Sequence, residues 1–160
     1  MKNKKFNFWI FLVCLLIVFL VVGGIGGIFT SANTNTPWYD SIKPSITPPS
    51  IVFPIVWNTL FLLISFSLYL AWTHSKNKNE RKKVALVFGI NFILNILWSV
   101  LFFELKLLQL AFIEVIVFWF SILAMILITR KINKKSAWLL IPYLLWVAFA
   151  SVLTYLAAFA

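Results

Sequence analysis

The stretch PWYDSIKPSITPPSIVFPIVW, residues 37–57, holds five of the six prolines and runs tryptophan straight into an apolar segment. Proline fixes φ and removes a backbone donor, so Pro37, Pro44, Pro48 and Pro49 exclude a regular helix until about residue 50. An apolar run then continues to Trp72. The stretch therefore reads as a rigid, aromatic lid that ends abruptly at a membrane surface and leads into a membrane helix.

Composition extends that reading outward to the whole chain. With 62% hydrophobic residues, 11% charged residues and a mean hydropathy of +0.99, it is far too apolar for a soluble domain of its length. Crossing about 30 Å of hydrocarbon takes roughly 20 apolar residues, and five segments satisfy that: 8–29, 50–73, 84–103, 107–129 and 137–158. Lipid offers backbone groups no partners, so continuous segments of this length are helices; barrel strands would alternate at every second residue. The fold class is an all-α membrane protein, and one bundle of five transmembrane helices accounts for residues 1–160 as a single domain.

The charges predict an orientation. Lys2, Lys4 and Lys5 precede the first segment, residues 76–83 carry five bases after the second, and residues 130–135 carry four after the fourth, together twelve of the fourteen basic residues. Basic loops are retained in the cytoplasm, so the N-terminus is expected inside, with the C-terminus and the proline-rich lid outside. The net charge of +10 is absorbed by topology and by contact of the lipid bilayer's anionic headgroups, with no nucleic acid needed to explain it. The first segment is too long for a signal h-region of about 7 to 15 residues, so it is expected to stay as a span. Cys14 has no second cysteine to pair with.

Function should rest on polar and aromatic residues that hydropathy does not explain. Trp9, Trp72 and Trp138 fall at the basic boundaries and read as interface anchors. Trp57 and Trp98 lie roughly 10 Å below the lid-side boundary at about 1.5 Å per residue, and Trp146 lies nearer the middle. Trp119 reads as packing or lipid-facing. Asn91, Asn95, Trp98 and Phe102 share one face of the third helix, where the amides serve as interhelical glue, as ligand contacts, or as both, since an amide has four hydrogen-bonding sites. Trp57 and Phe61 form a similar pair on the second helix, whereas Asn58 points away. Pro142 should bend the fifth helix or free a carbonyl, and Trp146 and Ala150 share a face beyond it. Gly23 and Gly27 have the spacing of a helix-packing motif. Glu114, predicted inside the bilayer, has no acid, histidine or arginine at comparable depth to form a proton relay and reads as a neutral or hydrogen-bonded structural group. One Cys, one His and four scattered acids make neither a metal site nor a catalytic triad.

Trp38-Tyr39, Lys43-Pro44-Ser45, Thr47-Pro48-Pro49, Phe53-Pro54 and Trp57 resemble the lid of the translocator protein family, the TspO/MBR tryptophan-rich sensory proteins. Asn95, Trp98, Phe102-Phe103, Glu114 and the run from Pro142 to Ala150 extend the resemblance over the remaining helices. It implies a homodimer in the plasma membrane of a prokaryote that binds porphyrins, haem-like tetrapyrroles or hydrophobic drug-like ligands beneath the first loop. Carried over position by position, Trp57, Phe61, Asn95, Trp98, Trp146 and Ala150 would line that pocket and Trp38 would belong to its lid. The tetrapyrrole is a ligand there, and no cofactor is required. Receptor or stress sensor, tetrapyrrole exporter, and light- and oxygen-dependent porphyrin degradation with Trp57 and Trp146 as electron donors all remain open. Lys43 and Lys106 are the cations near the expected propionate position. Ile46 stands where the family's lid has tryptophan and Thr154 where its last helix has asparagine. No base follows Tyr155, so poor sterol binding is expected.

Overall fold

A computed structural model describes residues 6–160; Lys2, Lys4 and Lys5, on which part of the orientation argument rests, lie outside the described residues. Five helices are long and apolar enough to cross a bilayer: Phe8–Asn33, Val52–His74, Lys78–Glu104, Leu108–Ile132 and Lys134–Phe159. They are the five segments expected from sequence, and we number the spans in that order. The spans close a ring in the order first, second, fifth, fourth, third. The short connections at residues 75–77 and 133 lie at one end with nine described Lys and Arg residues, and the proline-rich loop lies at the other. We refer to these as the basic end and the lid end.

Helix boundaries differ from the hydropathic ones where capping chemistry extends a helix into polar sequence. The third span starts at Lys78, six residues before the apolar run, because the Asn77 side chain accepts the Glu80 N–H at 2.9 Å while the Glu80 carboxylate accepts the Lys76 N–H at 2.6 Å. This reciprocal arrangement satisfies donors that a helix start otherwise leaves open. Asn133 caps the fifth span through the Ser136 N–H at 3.2 Å. Arg130 and Lys131 lie in the last turn of the fourth span, where cations offset the helix dipole.

Two expectations about proline are corrected. The lid is not free of helix: Pro37–Ile42 forms a short one, with Pro37 in its first turn and Thr36 Oγ1 accepting the Tyr39 N–H at 3.3 Å. The first helical position needs no N–H donor and its φ suits proline, so Pro37 starts a helix there. Pro142 likewise occupies the first turn of Ile141–Phe159, after the fifth span has broken at Leu140. It caps a new segment rather than bending a continuous one.

The first span winds as π-helix over Ile17–Ile25 and the third over Val100–Glu104, where the Leu105 N–H reaches back five residues to the Val100 carbonyl at 2.9 Å. Of the two glycines at helix-packing spacing, Gly23 packs against a neighbouring span and Gly27 meets no described residue. A Cβ on Gly23 would stand 2.9 Å from the Phe61 ring and one on Gly26 would stand 3.5 Å from Ser99 Oγ, whereas a Cβ on Gly27 would meet nothing within 4 Å. Close approach of the first span to the second and third therefore uses Gly23 and Gly26.

The core has a main cluster running from Cys14 and Val18 through Ile64, Phe88, Phe118 and Met125 to Tyr143 and Val147, and a smaller one at the lid end, Leu101, Phe102, Phe103 and Ala111, against which Trp38, Tyr39 and Trp98 pack. Ser67 and Ser136 join the second and fifth spans at the basic end, each hydroxyl donating to the other residue's carbonyl at 2.9 and 2.7 Å. Trp9 and Trp138 are 74% and 70% exposed, as boundary anchors should be.

Candidate functional site

The inner face of the third span meets the fifth through a tyrosine that sequence reading did not single out. Tyr143 is fully buried; its hydroxyl accepts from Asn95 Nδ2 at 3.1 Å and donates to Asn91 Oδ1 at 3.1 Å. Asn91 Nδ2 donates onward to Ser121 Oγ on the fourth span at 2.8 Å, and that hydroxyl donates to the Phe118 carbonyl at 2.7 Å. Three spans are thus pinned at one level by groups that would be costly in hydrocarbon if unpaired. The structure assigns Asn91 to the glue alternative. Asn95 joins the same level through its Nδ2.

Aromatic rings connect this level to the lid. Trp57 meets Phe61 at a centroid distance of 5.5 Å and Tyr143 at 6.3 Å, and Phe61 in turn meets Phe19 of the first span at 5.5 Å. Trp98 stacks on Phe102 at 5.1 Å, and Phe102 meets Trp38 of the lid helix edge-on at 6.2 Å. Tyr39 rests beside Phe103 at 5.9 Å. The Lys106 ammonium lies 4.9 Å from the Trp38 ring centroid, presented by a backbone φ of 56°, a region that L-residues with a side chain enter at a cost. Lys43 is bound to Asp40 at 2.7 Å in an exposed pair. Of the two cations considered for a carboxylate partner, Lys106 is therefore the one with no acid partner among the described residues.

A second level lies about two turns toward the lid. In antiparallel helices, seven residues forward from Asn91 and seven back from Ser121 bring Trp98 and Glu114 to equal height on the faces that carry the Asn91–Ser121 bond. Glu114 is 7% exposed, and neither of its oxygens has a protein partner among the described residues; Trp98 Nε1 is also buried without one. The hydrogen-bonded structural role expected for Glu114 is thus not made by any described side chain.

Trp57, Phe61 and Asn95 converge around Tyr143, and Trp98 and Trp38 join through Phe102. Trp146 takes a different position. It meets Phe53 at 5.8 Å and lines a groove of about 440 Å³ on the outside of the bundle, with Ile55, Val56, Leu60, Pro142 and Leu145. Ala150, one turn on, is half-buried, and its carbonyl accepts the Thr154 hydroxyl at 2.8 Å. Asn58 turns back on the Pro54 carbonyl at 2.8 Å, as expected for a structural amide. Tyr143 and Ser121 were missed because a single hydroxyl in an apolar run gives no periodic signal; the i, i+4 amides opposite them were the available clue. Among the described residues no three of His, Cys, Asp and Glu come together.

Comparison with known proteins adds an independent line. Residues 14–159 match the family model described as the TspO/MBR family. The chain is 34% identical over 145 residues to the tryptophan-rich protein TspO of Archaeoglobus fulgidus, covering 90% of this chain and 92% of that one. Identity to the tryptophan-rich protein TspO of Chlorobaculum tepidum is 32% over 136 residues, 85% of this chain and 86% of that one. Similarity reaches the translocator protein of Ovis aries, at 31% over 135 residues, 83% of this chain and 80% of that one.

Proposed function

The chain belongs to the TspO/MBR family, and from that premise we propose that it binds porphyrin-type tetrapyrroles on the inner aromatic face beneath the lid. In this reading it is a homodimer in the plasma membrane of a prokaryote and acts in tetrapyrrole handling or stress sensing. The observation that carries the reading is the coincidence, on the inner faces of the third and fourth spans, of stacked rings with uncommitted polar atoms. Trp98 lies on Phe102 beneath Trp38, and the Trp98 N–H and the Glu114 carboxyl have no protein partner among the described residues. A planar macrocycle gains by stacking on indoles, and a few polar groups within an apolar wall fix its orientation. The rings now touch one another, so an entering macrocycle would part Trp98, Phe102 and Trp38.

The test is a dark titration of the purified protein with protoporphyrin IX, followed by tryptophan fluorescence. Saturable quenching is expected, and its absence would remove the tetrapyrrole assignment. Illuminating the saturated sample beside Trp57→Phe separates binding from photochemistry. Bleaching of the porphyrin band no faster than in buffer fits a binder or carrier; bleaching that the variant abolishes fits light-driven degradation. A carrier role is the second reading, and the apolar groove beside Trp146, between the second and fifth spans, is where its ligand would meet the bilayer. In that reading, pigment loaded into vesicles leaves faster when the protein is present.

A further inference from the structure

At the basic end, far from the lid, a cavity of about 570 Å³ opens between the first and second spans and the start of the third. Its walls combine apolar surface from Ile10 and Leu70 with Asn7, Trp72, His74 and Arg81. The walls are fixed across spans. The Asn7 N–H donates to the Tyr69 hydroxyl at 2.8 Å, the Asn7 side chain caps the first span through the Ile10 N–H, and the His74 Nδ1–H donates to the Leu70 carbonyl at 2.9 Å. The Arg81 guanidinium lies 5.7 Å from the Trp72 ring centroid and has no acid partner among the described residues. Glu80, the described acid at this end, is engaged with the Lys76 N–H. Lys76, Lys78, Lys82 and Lys83 lie on the same connection and the first turns of the third span.

We propose that this cavity is a binding site for one anionic phospholipid, its phosphate held by Arg81 over Trp72 and an acyl chain running along Ile10 and Leu70. The phosphate is recognised by an unpaired, planar guanidinium that bonds two of its oxygens, assisted by the positive end of the first-span helix that Asn7 caps. The height is that of a headgroup: Trp72 and His74 end the second span, and the apolar wall descends from them into the bilayer. The aromatic wall and the acyl track favour a lipid over free phosphate, for which neither has a use. The occupant differs from the proposed tetrapyrrole in shape and end of the bundle, so the two sites stand or fall separately.

The test follows thermal unfolding of the full chain in a neutral detergent as dioctanoyl phosphatidylglycerol, dioctanoyl phosphatidylcholine or inorganic phosphate is added. Phosphatidylglycerol is expected to stabilise saturably at concentrations about fivefold below phosphatidylcholine, the order of effect of one basic side chain at a membrane surface, and inorganic phosphate is expected to do nothing. Arg81→Gln should erase the preference, Arg81→Lys should keep only part of it, since an ammonium retains the charge but not the two-point bond, and Lys131→Gln, on another loop of the same end, should leave it intact. Equal response to both lipids, or equal loss in Arg81→Gln and Lys131→Gln, would replace the site with diffuse charge and overturn the proposal. Saturation by inorganic phosphate at similar concentrations would overturn the lipid as occupant. If Arg81→Gln unfolds before any addition, Arg81→Lys and the wild-type lipid preference still decide.

Discussion

Two levels of the bundle interior, about two helical turns apart, are built from similar residues and end differently. At the deeper one, Asn91, Asn95, Ser121 and Tyr143 close a bonded chain across three spans. Nearer the lid, Trp98 and Glu114 stand at equal height with an N–H and two carboxyl oxygens that no described side chain meets. Polar groups in an apolar interior persist where they hold the fold or serve something beyond it. The first level holds the spans in register. The second has no such use, and it lies under the aromatic lid.

The largest expected effect tests the bonded level. Tyr143→Phe leaves the Asn91 carbonyl and the Asn95 amine without their partner and should cost about 2 kcal/mol, read as a lower unfolding midpoint in detergent. An unchanged midpoint would make the network incidental. On the first span, Gly23→Ala drives a methyl into the Phe61 ring and should cost about 1.5 kcal/mol, whereas Gly27→Ala meets open space and should cost nothing measurable. Equal losses at both glycines would show that the outward face is packed as tightly as the inward one.

The unbonded level should respond in the opposite sense. Glu114→Leu removes a buried carboxyl that no described side chain satisfies and should raise unfolding stability by about 1 kcal/mol while weakening porphyrin binding. Destabilisation would place Glu114 with the structural level. The smallest effect concerns the lid. Burial beside Phe103 holds the Tyr39 phenol above its ordinary value of 10.0, despite the opposing effect of Lys43. A group whose pKa is raised on folding stabilises the fold fully below its unfolded pKa and loses that contribution as pH rises through the folded value. Lid docking should therefore weaken above about pH 10, read as an alkaline drop in the unfolding midpoint that Tyr39→Phe reduces.

Much of the fold was legible because bilayer thickness sets a length that composition reveals, and all five spans fall where the apolar runs are. The boundaries were less so. The third span begins in Asn77-Lys78-Asn79-Glu80, where side-chain capping rather than hydropathy decides, and Pro37 was expected to exclude helix although it opens one. The π-helical windings of the first and third spans leave no mark in residue periodicity short enough to read. Within the candidate site, helical spacing correctly brought Asn91, Asn95, Trp98 and Phe102 to one face, but it carried no information about their partners across the bundle. Tyr143 and Ser121 therefore went unnoticed. Spacing along one helix is local; which neighbour it meets depends on the rotation of each span in the ring.

The most direct measurement compares the dissociation constant of protoporphyrin IX for the wild type with those for Trp98→Phe, Trp57→Phe and Trp9→Phe. The inner substitutions should each weaken binding about threefold to tenfold, the scale of one aromatic contact, and Trp9→Phe on the exposed boundary should leave it unchanged. Affinity equal in all four proteins, or lost only in Trp9→Phe, would contradict a ligand face beneath the lid.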